Sequence, residues 1–183
     1  MKKYKIIALV GEAGSGKDSM LHYIQKISHG LLHEIISYTT RPKRENEVDG
    51  INYNFVHPIE FLDMVSNEKM LEFTKFNDWF YGTAIQSLSI DKINIGVFNP
   101  AGIYALNKRD DIDLKIYHIK ASPKQRLLRQ LNREENPDVD EIIRRWETDK
   151  KDFSTTPFTA IEIKNELPDD LRQGALAILG NLN

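Results

Sequence analysis

The loop Gly11-Glu12-Ala13-Gly14-Ser15-Gly16-Lys17 lies between an apolar run, Tyr4 to Val10, and a stretch of helical spacing that begins near Lys17. That order restricts the fold more than any other feature of the chain. A strand that ends in glycine and opens straight into a helix points several backbone N–H groups, and the positive end of the helix dipole, at one place. The spacing G-x-x-x-x-G-K is that of a phosphate-cradling P-loop. Its glycines allow left-handed backbone angles and close approach, and its lysine ammonium reaches the outer phosphates. Lys17 is therefore the first candidate for chemistry, and Gly11, Glu12, Ala13, Gly14, Ser15 and Gly16 form the candidate cradle. Asp18 follows the lysine where Ser or Thr is usual, and Ser19 comes next. An oxygen for magnesium must then come from the Ser19 hydroxyl or the Asp18 carboxylate.

Any such anion site has to be local. Lys and Arg total 25 against 27 Asp and Glu, a formal charge of -2, which excludes the basic field that nucleic acid or an anionic membrane would need. A length of 183 residues suits one domain with a real core. The absence of cysteine rules out disulfides, thiolate metal sites and thiol nucleophiles, and fits a reducing compartment. Ile6 to Val10 is too short for a signal-peptide core or a membrane span, so a cytoplasmic protein is expected.

Along the chain, strands are expected at Tyr4 to Val10, Leu31 to Ser37, Tyr53 to Val56, Met70 to Phe76, Ile93 to Phe98, Leu114 to Ile119 and Ile161 to Ile163. Helices are expected from Lys17 toward Gly30, from Pro58 to Asn67, from about Ala84, from Pro100 to Lys108, from Ser122-Pro123, over Glu141 to Phe153, and from Pro168 to Leu179. Trp79 to Thr83 reads as an aromatic turn, and Glu134 to Asp140 as exposed and polar. The alternation implies an α/β fold with a mainly parallel sheet flanked by helices, with ligands at the carboxyl ends of its strands. Two regions interrupt it, 38–83 with short strands and 125–150 with extra charge, and both suit flaps that exclude water from a phosphate donor.

The stretch Thr40-Arg41-Pro42-Lys43-Arg44-Glu45-Asn46-Glu47-Val48-Asp49-Gly50-Ile51-Asn52-Tyr53-Asn54-Phe55 resembles the signature of the guanylate kinases. The resemblance continues through Glu72 and Tyr81-Gly82-Thr83, then more weakly to Asn165, and so covers nearly the whole chain. It implies one P-loop kinase domain, with core segments 1–37, 84–124 and 151–183, a nucleoside-monophosphate-binding lobe at 38–83 and a lid at 125–150. It also implies phosphoryl transfer from ATP, as its magnesium complex, to GMP or dGMP. By that likeness Arg41, Arg44, Tyr53 and Tyr81 hold the acceptor's phosphate, and Glu47 orients an arginine. Guanidinium forks and phenol donors suit a phosphate dianion. Guanine falls to Ser37, Glu72 and Thr83, and a carboxylate offers two acceptors to the adjacent N1–H and N2–H₂ donors. On the donor side Arg133 and Arg145 approach the γ-phosphate and Asn165 the donor's purine, while Arg126, Arg129 and Arg144 read as helix-surface charge. The histidines, His118 among them, carry no assigned role.

Beside Asp18, the chain departs from the family pattern after the strand at Ile93, where two alternating acidic residues are usual and Val97 and Asn99 stand instead. This touches magnesium organisation and base choice. Asn99 keeps an amide oxygen for the acceptor site, and Asp18 brings charge to the loop. Two rivals follow: a related kinase with a broader deoxynucleotide or other acceptor, and a silent guanylate-kinase-like module that binds peptides through the same arginines. The intact Lys17 and glycines oppose the second.

Overall fold

The computed structural model describes residues 2–45, 47–76, 78–133 and 135–182. Asn46 of the signature stretch and Glu134 of the polar segment lie outside them. Strand β1 (Tyr4–Val10) is the axis of a parallel sheet with β2 (Leu32–Glu34), β7 (Ile93–Val97), β8 (Ile112–Lys120) and β9 (Ile161–Lys164), in the order β2-β7-β1-β8-β9. Residues Ile6 to Val10 are at most 2% exposed, as a strand covered on both faces requires. Alternate side chains separate the two layers. Ile7 and Leu9, with Ile95, Tyr117 and Ile119, pack on Met20 and Ile24 of α1 (Lys17–Ile27) and on Ala175 and Ile178 of α6 (Pro168–Gly180). Ile6, Ala8 and Val10 pack instead with Ile103 and Leu106 of α3 (Pro100–Asn107).

A second sheet has the order β4-β3-β6-β5, built from β3 (Tyr38–Thr39), β4 (Asn54–Phe55), β5 (Met70–Phe76) and β6 (Trp79–Ala84). Helix α2 (Pro58–Ser66) buries Phe61 and Met64 against Met70 and Ala84. Proline occupies the first turn of α2, α3, α4 (Pro123–Leu131) and α6, where the missing N–H costs nothing. Ser122 caps α4 through Oγ, and Asp138 caps α5 (Val139–Thr155). Among the described residues, no helix is long and apolar enough to cross a membrane.

Three local expectations are corrected. The strand expected over Leu31 to Ser37 stops at Glu34, and the chain crosses to the second sheet at Tyr38. Trp79 to Thr83 is no turn: it is most of β6, which pairs antiparallel with β5 from Trp79–Phe76 to Ala84–Met70, as aromatic and β-branched residues favour. The helix expected from Ala84 is a single 3₁₀ turn, Ile85–Ser87. The next backbone donors are taken by side chains: Asn94 Oδ1 accepts from Ser89 N, and Ser89 Oγ from Asp91 N and Lys92 N, which competes with a helical ladder.

Candidate active site

The carboxyl end of β1 runs directly into the P-loop, and the loop is braced from behind. Gly14 and Gly16 hold φ of 78° and 89°, which side-chain-bearing residues rarely adopt. A Cβ at Gly14 would stand 2.4 Å from the Arg126 carbonyl oxygen, and one at Gly16 would stand 2.3 Å from Asn165 Nδ2. The loop's carbonyls are occupied. Arg126 Nε donates to Ala13 O at 3.1 Å, Arg129 Nη1 to Gly14 O at 3.3 Å and Ser15 O at 3.2 Å, and Asn165 Nδ2 to Ser15 O at 2.8 Å. Among the described residues no side chain caps α1, so its N-terminal turn is available to an anion in front of the loop.

This bracing overturns the reading of Arg126 and Arg129 as helix-surface charge. Arg126 is buried, pairs with Glu12 (Nη1 to Oε1, 3.1 Å) and lies over the Trp146 ring at 4.4 Å. Arg129 also reaches Asn165 O and Glu166 O. Burial raises the Glu12 pKa, but the His118 hydrogen bond, its own backbone amide and Arg126 outweigh this and bring it down to about 2. His118 thus acquires a contact, Nε2 to Glu12 Oε2 at 3.4 Å. Asn165, expected at the donor's purine, is buried with its amide committed to the loop.

Across the cleft, Arg41 is almost buried and is clasped by Glu47. The same carboxylate accepts from Arg44 N at 2.8 Å, so one acid sets both arginine positions. Burial disfavours the Arg41 charge, yet Glu47 and the nearby Tyr81 hold its pKa above the ordinary value. Tyr53 and Tyr81 meet edge to face with ring centroids 6.1 Å apart. Burial, with Asp18 and Tyr81 nearby, pushes the Tyr53 phenol up to about 12, which keeps it a hydrogen-bond donor.

Glu72 and Thr83 are cross-strand partners in β5 and β6, both buried. Burial raises the Glu72 carboxyl to about 7 against the lowering pull of Thr83. The Thr83 hydroxyl falls short of hydrogen-bond geometry and has no partner among the described residues. Asn99 caps α3: its Oδ1 accepts from Gly102 N at 2.7 Å, so the amide oxygen is already engaged. A methyl at Gly102 would touch both Glu72 Oε2 (3.0 Å) and Asn99 Oδ1 (3.2 Å), which places these two side chains together at one wall.

Two adjoining cavities, of about 290 and 650 Å³, share Lys17, Ser37, Tyr53, Tyr81, Val97 and Arg145 in their walls. Glu72 and Asn99 line the first; Asp18, Arg41, Arg44, Glu47 and Arg133 line the second. The two anion cradles therefore open into one cleft. Ser19, exposed, and Thr83 are in neither wall. Arg145 is held by Glu141 Oε1 through Nε at 2.7 Å. Among the described residues no group of three His, Cys, Asp or Glu could hold a metal by itself. Magnesium needs no such cage when phosphate oxygens and water complete its shell, and the Asp18 carboxylate beside Lys17 fits that mode.

The sequence missed Asp149, whose Oδ2 accepts from the Ala13 N–H at 2.6 Å, and the bracing roles of Arg126 and Arg129. Only the i, i+3 spacing of the two arginines on α4 signals a common target.

A family model described as guanylate kinase matches residues 3–177. The guanylate kinase of Schizosaccharomyces pombe is 35% identical over 124 residues, 66% of this chain and 55% of that protein. That of Rickettsia felis is 44% identical over 78 residues, 43% of this chain and 40% of its own length. The matches to these two thus span about half of their length or less. That of Sulfurimonas denitrificans is 33% identical over 154 residues, 81% of this chain and 73% of its own. A crystal structure of guanylate kinase from Anaplasma phagocytophilum has the same fold, with a TM-score of 0.70 at 19% identity over 100% of this chain and 86% of that one.

Proposed function

The chain belongs to the guanylate kinase family, and from that premise we propose that it transfers the γ-phosphoryl group of ATP to GMP or dGMP, giving ADP and GDP or dGDP. The observation that carries this reading is the single cleft. Lys17 lies in the wall that also holds Arg41, Arg44, Tyr53 and Tyr81, so a donor on the P-loop and a monophosphate on the arginines meet end to end. Transfer in line between them needs no protein nucleophile, only positioning and neutralisation of charge.

In this account residues 38–83 form the acceptor lobe and 125–150 the lid over a core of 1–37, 84–124 and 151–183. The loop amides and Lys17 hold the donor's phosphates. Arg41, Arg44, Tyr53 and Tyr81 hold the acceptor's phosphate, with Glu47 fixing both arginines. Arg145, which lines both cavities, and Arg133, which lines the larger, face the transferred group. Glu72 reads guanine from the wall it shares with Asn99, and Ser37 lines the same space. Asp18 would hold the magnesium that accompanies ATP, in place of the usual loop hydroxyl, and the ion would supply neutralisation of phosphate charge. The absence of cysteine accords with a reducing cytoplasm.

An ADP-release assay with MgATP against GMP, dGMP, IMP, AMP and CMP tests the reading. GMP or dGMP should give the highest kcat/KM. No ADP release with any acceptor, or preference for a pyrimidine, would reject it.

A further inference from the structure

The Asp149 carboxylate has no part in the roles given above, yet it sits on the phosphate loop. It lies on α5 four residues after Arg145, so the two share a helix face. Its Oδ2 accepts from the Ala13 N–H at 2.6 Å, stands 3.8 Å from Arg126 Nη2, and lines the smaller cavity with Lys17. A carboxylate on a main-chain amide of a P-loop, between a lysine and an arginine, takes the kind of position that a phosphate oxygen takes. Its compensation is incomplete. Burial outweighs Ala13, Lys17 and Arg126 and, with Glu12 adding to it, holds the Asp149 pKa above the ordinary carboxylate value.

We propose that Asp149 is an internal anion that competes with the donor's terminal phosphate for the P-loop, and so sets how tightly the protein holds a nucleoside triphosphate relative to a diphosphate. The proposal rests on the reading of the loop as the ATP site. Like charges in a half-buried cleft repel strongly, so an incoming terminal phosphate drives the carboxylate from Ala13. Helix α5 carries Arg145 with it, which links arrival of the donor to placement of that arginine. The Arg41–Glu47 pair, which holds the acceptor's phosphate, lies in the wall of the larger cavity, which Asp149 does not line, so the competition bears on the donor's phosphates and not on that pair.

Calorimetric titration of the full chain, of Asp149→Asn and of Asp149→Glu with ATP, ADP, inorganic tripolyphosphate and GMP tests this directly. The asparagine keeps the volume and an oxygen that can accept from Ala13 N, and removes the charge. Asp149→Asn should bind ATP and tripolyphosphate on the order of 10-fold more tightly and ADP less than about threefold more tightly, with GMP unchanged. Asp149→Glu should follow the native chain. Unchanged or weaker ATP affinity in Asp149→Asn, or an equal gain for ATP and ADP, overturns the proposal. Failure of all three proteins to bind ATP while GMP still binds removes the loop reading itself, and the proposal with it. A readout in the native chain is independent of any variant: the Asp149 carboxyl ¹³C resonance should move on saturation with ATP and stay in place with GMP, and no movement with ATP also overturns the proposal.

Discussion

The Arg41 guanidinium and the Glu47 carboxylate form a two-pronged pair, Nη2 to Oε1 at 2.7 Å and Nη1 to Oε2 at 2.9 Å, within a loop that otherwise has little core. Arg41 is 7% exposed and packs against the Tyr53 and Phe55 rings, 5.6 and 5.5 Å from its Cζ. The fork therefore cannot swing freely, and under the proposed function Glu47, with Pro42 O, sets the angle it presents to the acceptor's phosphate.

Glu47→Ala should raise KM for GMP by roughly 10- to 100-fold while KM for ATP stays within about twofold, because the arginine loses its orientation and not its charge. It should also cost stability, up to about 3 kcal/mol, since a nearly buried cation is left unpaired. Steady-state kinetics and denaturant melts check both parts; a matching rise in both KM values would contradict the assignment.

Glu72 supplies a pH signature. Its folded pKa of about 7 lies above the ordinary carboxyl value of 4.5, so the neutral form is favoured in the fold. That contribution to stability is complete below 4.5 and is lost as pH rises through about 7. Guanine needs the ionised form, so GMP affinity should improve as pH rises, with an apparent Kd at pH 6 about tenfold weaker than at pH 8. The acceptor phosphate also titrates near pH 6, at roughly the same value in any variant. Binding isotherms for native protein and Glu72→Gln separate the two, and the variant should lose the Glu72 share of the slope and gain stability at pH 8.

Gly14 and Gly50 both hold positive φ, 78° and 75°, but only Gly14 is crowded. A Cβ there meets the Arg126 backbone oxygen at 2.4 Å, whereas among the described residues nothing lies within 4 Å of one at Gly50. Gly50→Ala should cost only the backbone term, about 1–2 kcal/mol, with ATP affinity preserved. Gly14→Ala should displace α4 from the loop and weaken ATP binding at least about tenfold. Calorimetry on the pair is the check, and similar ATP affinities would contradict the bracing account.

Glu12 gives an acid-side test with the opposite sign. Its folded pKa of about 2 lies below the ordinary carboxyl value of 4.5, so its contribution is present above 4.5 and is lost as pH falls toward 2. Unfolding free energy measured between pH 6 and pH 3 should fall less steeply in Glu12→Gln than in the native chain. Parallel slopes would mean that the contacts of Glu12 with His118 and Arg126 do not hold the loop.

The parts of this molecule that were legible in sequence are those encoded locally. The β1 run, the glycine spacing and proline at the starts of α2, α3, α4 and α6 each carry their meaning within a few residues. So does the Arg41 to Tyr53 stretch, whose two arginines share one acid six and three positions away. Strand β6 was hidden because Trp79 to Thr83 resembles a turn until β5 lies beside it. Arg126 and Asp149 could not be read because their partner, the loop, is 113 and 136 positions away, and a charged helix face looks the same whether it meets water or a phosphate cradle.

The central claim is direct transfer between the two cradles of one cleft, and following the γ-phosphoryl group tests it. With [γ-³²P]ATP, magnesium and GMP, label should appear in GDP in equal amount to the ADP formed, and Lys17→Met should reduce the rate by at least about 10²-fold without loss of GMP binding. Label released as inorganic phosphate, or GMP bound with no labelled GDP formed, would contradict it.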